Sequence, residues 1–419
     1  MNLTNVKQSP QSNTRIVLAV PAFPKLSETF IVSKFLGLLE RGWDVHLVCR
    51  QSNPKDWEAF PELHHSGGDI KQRVHVSWPH RPRWLAFLLF VPAMIRALIC
   101  APKRFLKYLR IGCKRFGFKV FRTFYLDLDL VCLKPDIIHF EFGALAVGRM
   151  HLKDLLDCKT TVSFRGYDLN FAGLDQPDYY MEVWKEADAC HFLGQDLFRR
   201  AQRRGCPADI PHSIIPPAIN LEKFPTPERT IGEILGTKEH PLKVLSVGRL
   251  EWKKGYEFAL SALKLLQDQG CNFEYRVIGE GEHRAAIEFA SYQLGINGKV
   301  CFLGAVPHDQ VIRHLQWADI FLHPSVSEGF CNAVIEAQAV GLPVVCTDAD
   351  GLPENVADGI TGFVVPRRDP KAMAENIALL SKQPDLRSRF GRAGMDRVRT
   401  FFTVKKQTDD WETFYTKLL

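Results

Sequence analysis

The stretch Lys243-Val-Leu-Ser-Val-Gly-Arg249-Leu-Glu-Trp-Lys-Lys254-Gly255 decides how the chain is read. A short apolar, valine-rich run (Lys243–Leu250) ends beside a glycine and a cation, and helical periodicity begins at Gly255 and lasts to about Gln269. A buried strand feeding a helix is the unit from which parallel sheets covered on both faces are built. The unit recurs downstream, with strands expected at Phe273–Gly279, Val300–Gly304, Asp319–His323 and Pro343–Thr347. Helices are expected near Glu282–Leu294, His308–Trp317, Asn332–Val340 and Lys371–Ser381.

A similar series precedes it. Arg15–Pro21 reads as a strand, Ser27–Arg41 as a helix and Asp44–Cys49 as a strand. Further strands are expected at Asp136–Glu141, Thr161–Gly166, Ala189–Gly194 and Ser213–Pro217, and the proline-rich, polar stretch Ala218–Pro241 reads as a hinge. The expected fold is therefore α/β, with two Rossmann-like, doubly wound halves facing a central cleft. Residues 1–220 form one half, with a basic amphipathic segment at 81–125, and residues 241–400 form the other. Residues 401–419 read as a terminal helix whose Trp411, Phe414 and Tyr415 pack back on the body.

A length of 419 residues suits two domains. Eleven dispersed cysteines without a CxxC pair exclude a zinc framework and a thioredoxin-like site, and they fit a reducing compartment. Met1–Thr14 lacks the basic start and apolar run of a signal peptide, so a cytoplasmic protein is expected. The net charge of +7 is concentrated: Arg81–Tyr125 holds eleven Lys or Arg and no acid. The remainder is slightly acidic, so no affinity for nucleic acid is expected.

Two stretches carry chemistry. At the end of the Lys243–Leu250 strand, Arg249 offers a planar fork and Lys254 a mobile point charge, a pairing suited to a pyrophosphate. The plain alternative is a solvated basic turn. In His323-Pro-Ser-Val-Ser-Glu328-Gly329-Phe330-Cys331-Asn332, a glycine-containing loop leads into a helix that carries Glu336. Backbone N–H groups and a helix N-terminus favour an anion there. Glu328 could accept from sugar hydroxyls and Glu336 from ribose hydroxyls, or they could be a cap and a surface residue.

The segment from about Val244 to Ile377 closely resembles the retaining glycosyltransferase family 4, of GT-B fold. The matching pieces are Gly248-Arg-Leu…Lys254-Gly255, Val277-Ile-Gly279-Glu-Gly281, Phe302-Leu-Gly304 and Ser325-Val-Ser-Glu-Gly-Phe-Cys-Asn-Ala-Val-Ile-Glu336. Gly341-Leu-Pro-Val-Val345, Gly351-Leu-Pro-Glu354 and Asp358-Gly-Ile-Thr-Gly362 continue the order. The resemblance implies Arg249 and Lys254 on a diphosphate, Glu328 on the sugar and Glu336 on the ribose. Gly279 and the N–H groups of Gly329, Phe330, Cys331 and Asn332 would complete the donor site. It also implies retention of anomeric configuration.

In the N-terminal half, Pro24-Lys-Leu-Ser27-Glu28-Thr-Phe-Ile31 resembles the first loop of polysaccharide-assembling members of the colanic-acid type. By the same resemblance, His139 and Asp168 join Ser27 and Glu28 on the acceptor side. Two departures stand out. The first loop lacks a Gly-Gly pair, and Arg165 stands where many members place a histidine. Arginine cannot serve as a base at neutral pH, so Arg165 is assigned to stabilising developing charge or meeting an anionic acceptor.

The expected activity is a retaining glycosyltransferase of the hexosyltransferase type, using a UDP- or GDP-sugar and a saccharide or lipid-linked acceptor. No cofactor or metal is expected: Asp348-Ala-Asp350 and Asp127-Leu-Asp129 look like metal-binding D-x-D pairs, but such pairs are common by chance. The rivals are a non-catalytic sugar-nucleotide-binding scaffold subunit and an epimerase of the same fold. Finally, Trp84–Ile99 is apolar but broken by Pro92 and Arg96, and Lys103–Lys119 mixes cations with aromatics. That pattern suits a segment lying on an anionic membrane surface, here the cytosolic face.

Overall fold

The computed structural model describes residues 14–25, 28–65, 70–77, 83–225 and 233–419. They form two compact units. The first comprises the chain up to Phe192, with Phe198–Ile215 and Thr408–Leu419; the second comprises Leu193–Leu197 and Pro216–Gln407.

The first unit is built on strands β1 (Arg15–Ala22), β2 (Asp44–Gln51), β3 (Val74–Val76), β4 (Ile137–Phe140), β5 (Lys159–Phe164), β6 (Ala189–Phe192) and β7 (His212–Ile214). They lie in the order β3-β2-β1-β4-β5-β6-β7, with every pairing parallel. Ile16 sits between Val45 on β2 and Ile137 on β4. The core holds Ile16, Leu18, Phe35 and Leu47 together with Trp411, Phe414 and Tyr415 of the helix Val404–Thr416.

The second unit has strands β8 (Leu242–Val247), β9 (Phe273–Ile278), β10 (Val300–Gly304), β11 (Ile320–His323), β12 (Val344–Thr347) and β13 (Gly362–Val365). Their order is β10-β9-β8-β11-β12-β13, again all parallel. Both faces are covered, and adjacent residues show it: Val244 belongs to one core and Leu245 to the other. The helix Tyr256–Asp268 buries Tyr256, Ala259, Leu260, Leu263 and Leu266, one stripe at helical spacing. Strand order reverses between β8 and β11, and at such a point the loops leaving the carboxyl ends diverge and open a crevice. Those two loops are Gly248–Gly255 and Pro324–Cys331.

Strands β3 and β13 were not expected from the sequence. With three and four residues, and a partner on one side only, neither is long enough to show a period. The basic segment folds as helices Arg83–Cys100, Pro102–Phe116 and Val120–Leu133, the first continuing past Pro92. Among the described residues no helix is long and apolar enough to cross a membrane.

Candidate active site

The loops after β8 and β11 are fastened to each other by backbone. Val326 N–H donates to the Lys253 carbonyl at 2.8 Å. Gly255 has φ +64°, and a Cβ there would lie 2.2 Å from the Pro324 carbonyl oxygen. Glycine is therefore required twice, for the left-handed turn and for the close approach. Gly279 acts likewise after β9: its φ is +140° and a Cβ would lie 2.0 Å from the Gly248 carbonyl oxygen.

This fastening brings Lys254 and Glu328 into an ion pair, their side chains only 12% and 15% exposed. Burial pushes the Glu328 carboxyl up, but the Lys254 charge and the contact with His323 outweigh it and hold the carboxyl at about 2. Burial likewise pulls Lys254 down, and Glu328 more than reverses that, leaving it above the ordinary lysine value. Glu328 is thus a fixed anion and Lys254 a fixed cation. Arg249 stands beside them largely in solvent, 68% exposed, and pairs with Glu251 at 2.6 Å. An exposed pair of this kind is weak, so the guanidinium is available to an incoming anion.

On the helix Asn332–Ala339, Glu336 is 15% exposed and meets His308 Nε2 at 3.2 Å. That hydrogen bond raises the imidazole's affinity for its proton. Gly329 and Phe330 are half-buried, and Phe330 packs edge-on against Phe402. Cys331 differs from expectation: its N–H already donates to Asn355 Oδ1 at 3.2 Å, and Asn355 Nδ2 returns a bond to the Cys331 carbonyl at 3.0 Å. Asn355 therefore consumes the amide that was expected to face the donor, and Cys331 contributes a buried thiol instead.

Sequence reasoning missed the brace behind this loop. Asp350 Oδ2 accepts from Ser327 Oγ at 2.7 Å and from the Glu328 N–H at 3.0 Å. Arg367 bonds both Asp350 and Asp348, at 3.1 and 3.2 Å, and reaches the Val326 carbonyl. Gly351 N–H donates to the Glu328 carbonyl at 3.0 Å. The Asp348-Ala-Asp350 pair is thus committed to positioning Glu328. The other such pair is also engaged: Asp127 bonds Tyr108, Arg149 and His151, and Asp129 faces Arg96 at 3.5 Å.

In the first unit, Ser27 lies outside the described residues. Glu28 pairs with Lys25 at 2.7 Å. His139 is fully buried, bonded to Thr161 and Ser163 at 2.7 and 2.8 Å and packed against Trp411. The expected acceptor contact is therefore corrected: no edge of this ring reaches solvent. Asp168 is corrected for the same reason. It is fully buried, and its two carboxylate oxygens accept the N–H groups of Ala144 and Arg165, each at 3.0 Å, tying two helix starts together. Arg165 lies 3.7 Å above the Phe30 ring and bonds Glu141 Oε2 at 3.0 Å. Glu141 also holds Lys34 at 2.7 Å, and Lys34 sits 3.4 Å over the Trp411 ring. Lys34 was readable as unusual, because it falls on the apolar face of its helix between Val32 and Phe35.

Two parallel, doubly wound sheets, with a buried cation–anion pair at one switch point, define a GT-B fold. Residues 228–397 match the family described as glycosyl transferases group 1, and the chain carries that domain. Over most of its length it is similar to the amylovoran biosynthesis glycosyltransferase AmsK of Erwinia amylovora, 29% identical across 86% of this chain and 89% of that one. The putative colanic acid biosynthesis glycosyltransferase WcaL of Escherichia coli K12 is 26% identical over the same shares. Among solved structures, Anabaena HepE in complex with UDP and glucose superposes with a TM-score of 0.69 at 14% identity, covering 96% of this chain and 100% of that one. That last likeness speaks for the fold alone. Together these findings make the chain a glycosyltransferase and set aside the scaffold and epimerase readings.

Proposed function

We propose that the chain moves a sugar, with retention of configuration and without a metal, from a UDP- or GDP-sugar to a saccharide or lipid-linked saccharide during polysaccharide assembly. The Lys254–Glu328 pair at the β8/β11 switch point carries this reading. Departure of a nucleoside diphosphate builds negative charge on the leaving oxygens, and preorganised cations lower that barrier. Lys254 and Arg249 supply them. Glu328 keeps one oxygen on Lys254 and offers the other to sugar hydroxyls, while Glu336 takes the ribose. The names of AmsK and WcaL support a polysaccharide product, and the UDP complexes of HepE support a uridine nucleotide.

Calorimetric titration with UDP and with GDP, each in EDTA, tests the donor site. One nucleotide is expected to bind, and Lys254→Ala and Glu328→Ala are expected to abolish transfer. Binding of neither nucleotide, or wild-type turnover in both variants, would overturn the reading.

The acceptor is proposed to be met at an anionic, cytosolic membrane face. Along the helix Arg83–Cys100, Leu88, Val91, Ile95 and Ile99 form one exposed apolar stripe, and Phe118 beyond the next helix is 93% exposed. Lys103, Lys107, Arg110 and Lys114 lie on the helix between. Each cation near such a surface is worth about 1 kcal/mol. Flotation with anionic but not neutral liposomes is the expected result; absence of binding to both removes the proposal.

A further inference from the structure

Behind the Glu328 loop three different donor atoms converge. His323 ends β11, and its Nε2 lies 3.3 Å from Glu328 Oε2 and 3.4 Å from Cys331 Sγ. All three ligand atoms fall within 4.8 Å of one another. For zinc bond lengths of about 2.0–2.3 Å, tetrahedral geometry places nitrogen about 3.4 Å from oxygen and about 3.5 Å from sulfur. The two distances in the structure match those edges to about 0.1 Å. Arg249, Lys254 and the loop amides account for the proposed transfer chemistry without using either the imidazole or the thiol.

We propose that His323, Cys331 and Glu328 form a site for a borderline divalent ion of the zinc class, and that its binding inhibits the donor site. Imidazole and thiolate select such an ion over Mg2+ or Mn2+, and three protein donors leave a fourth position for water. Cys331 binds as thiolate and His323 through an unprotonated Nε2; the thiol proton passes to solvent, and the Nε2 proton that faces Glu328 is lost to solvent or moves to Nδ1. Glu328 Oε2 is also the atom that pairs with Lys254. The ion and the ammonium therefore compete for one oxygen, and a bound ion takes Glu328 away from Lys254. The inhibitory consequence rests on the transferase reading; the site itself does not.

The test is titration of the full chain with Co2+ alone, without nucleotide, followed by absorption. Wild type is expected to develop the intense visible bands of four-coordinate cobalt and a sulfur-to-cobalt charge-transfer band. Both should collapse with equimolar Zn2+ and survive excess Mg2+. Cys331→Ser, which keeps the other ten cysteines, should lose the charge-transfer band. Lys254→Met should bind Co2+ more tightly, a gain that a misfolded variant would not produce. A charge-transfer band retained in Cys331→Ser, or no tightening in Lys254→Met, overturns the proposal. Either failure leaves the EDTA nucleotide titration unaffected, so the two readings fall separately.

Discussion

Replacing Lys254 with methionine removes the positive half of the buried pair and strands the negative half. With Glu328 only 15% exposed, the carboxylate loses its main counter-charge where water reaches poorly. Breaking a buried pair from one side costs about 3–5 kcal/mol, and the surviving His323 contact sets this case near about 3 kcal/mol. The depressed Glu328 carboxyl gives a second figure. The carboxyl falls from 4.5 to about 2, which at about 1.36 kcal/mol per unit is again about 3 kcal/mol. The folded value lies below the unfolded one, so this stability is whole above the unfolded pKa and drains as pH falls toward the folded one. At about pH 3 roughly 1 kcal/mol of it remains. Urea unfolding of wild type and Lys254→Met should therefore differ by about 3 kcal/mol at neutral pH, and the deficit should shrink as pH falls toward the folded value and Glu328 takes up its proton. Lys254→Met/Glu328→Leu should recover most of the loss, because no charge is left buried. A single variant as stable as wild type at neutral pH, or a deficit that does not shrink in acid, refutes the reasoning.

Three further outcomes are expected. Asp350→Ala frees the Ser327 and Glu328 contacts, so kcat should fall about tenfold, about 1.4 kcal/mol, with little change in KM; Asp350→Asn, which tolerates the φ of +55°, should restore most of it. In Gly279→Ala, the clash with the Gly248 carbonyl should lower stability by about 3 kcal/mol or more, read as a drop in melting temperature. Asp168→Ala orphans the N–H groups of Ala144 and Arg165 at about 1–3 kcal/mol each, a loss visible in urea unfolding; nucleotide titration, reporting on the other unit, should not change.

Strand–helix alternation was legible because parallel strands buried on both faces are short, continuous apolar runs, as Ile320–Leu322 is. The donor loops were legible because glycines and charges sit at strand ends, where the topology places a crevice. What stayed hidden depended on distance in sequence. Asp350 reaches Glu328 across 22 residues and Arg367 reaches Val326 across 41, and no local pattern encodes such a meeting. Asp168 and His139 were placed on the acceptor side by family resemblance, yet each found partners inside the fold and was buried. Cys331 was read through its backbone, which Asn355 occupies.

The helix that ends with Trp411, Phe414 and Tyr415 gives the first unit an unusual biosynthetic order. Its sheet is translated early, but the aromatic residues that close its core emerge only after the whole second unit has been made. Until then the face around Phe35 and Lys34 stays open, a binding surface for chaperones rather than a finished interior. A chain that stops before residue 411 lacks the aromatic residues that pack into the first unit's core. Completion of the first unit's core is thereby coupled to synthesis of the second unit.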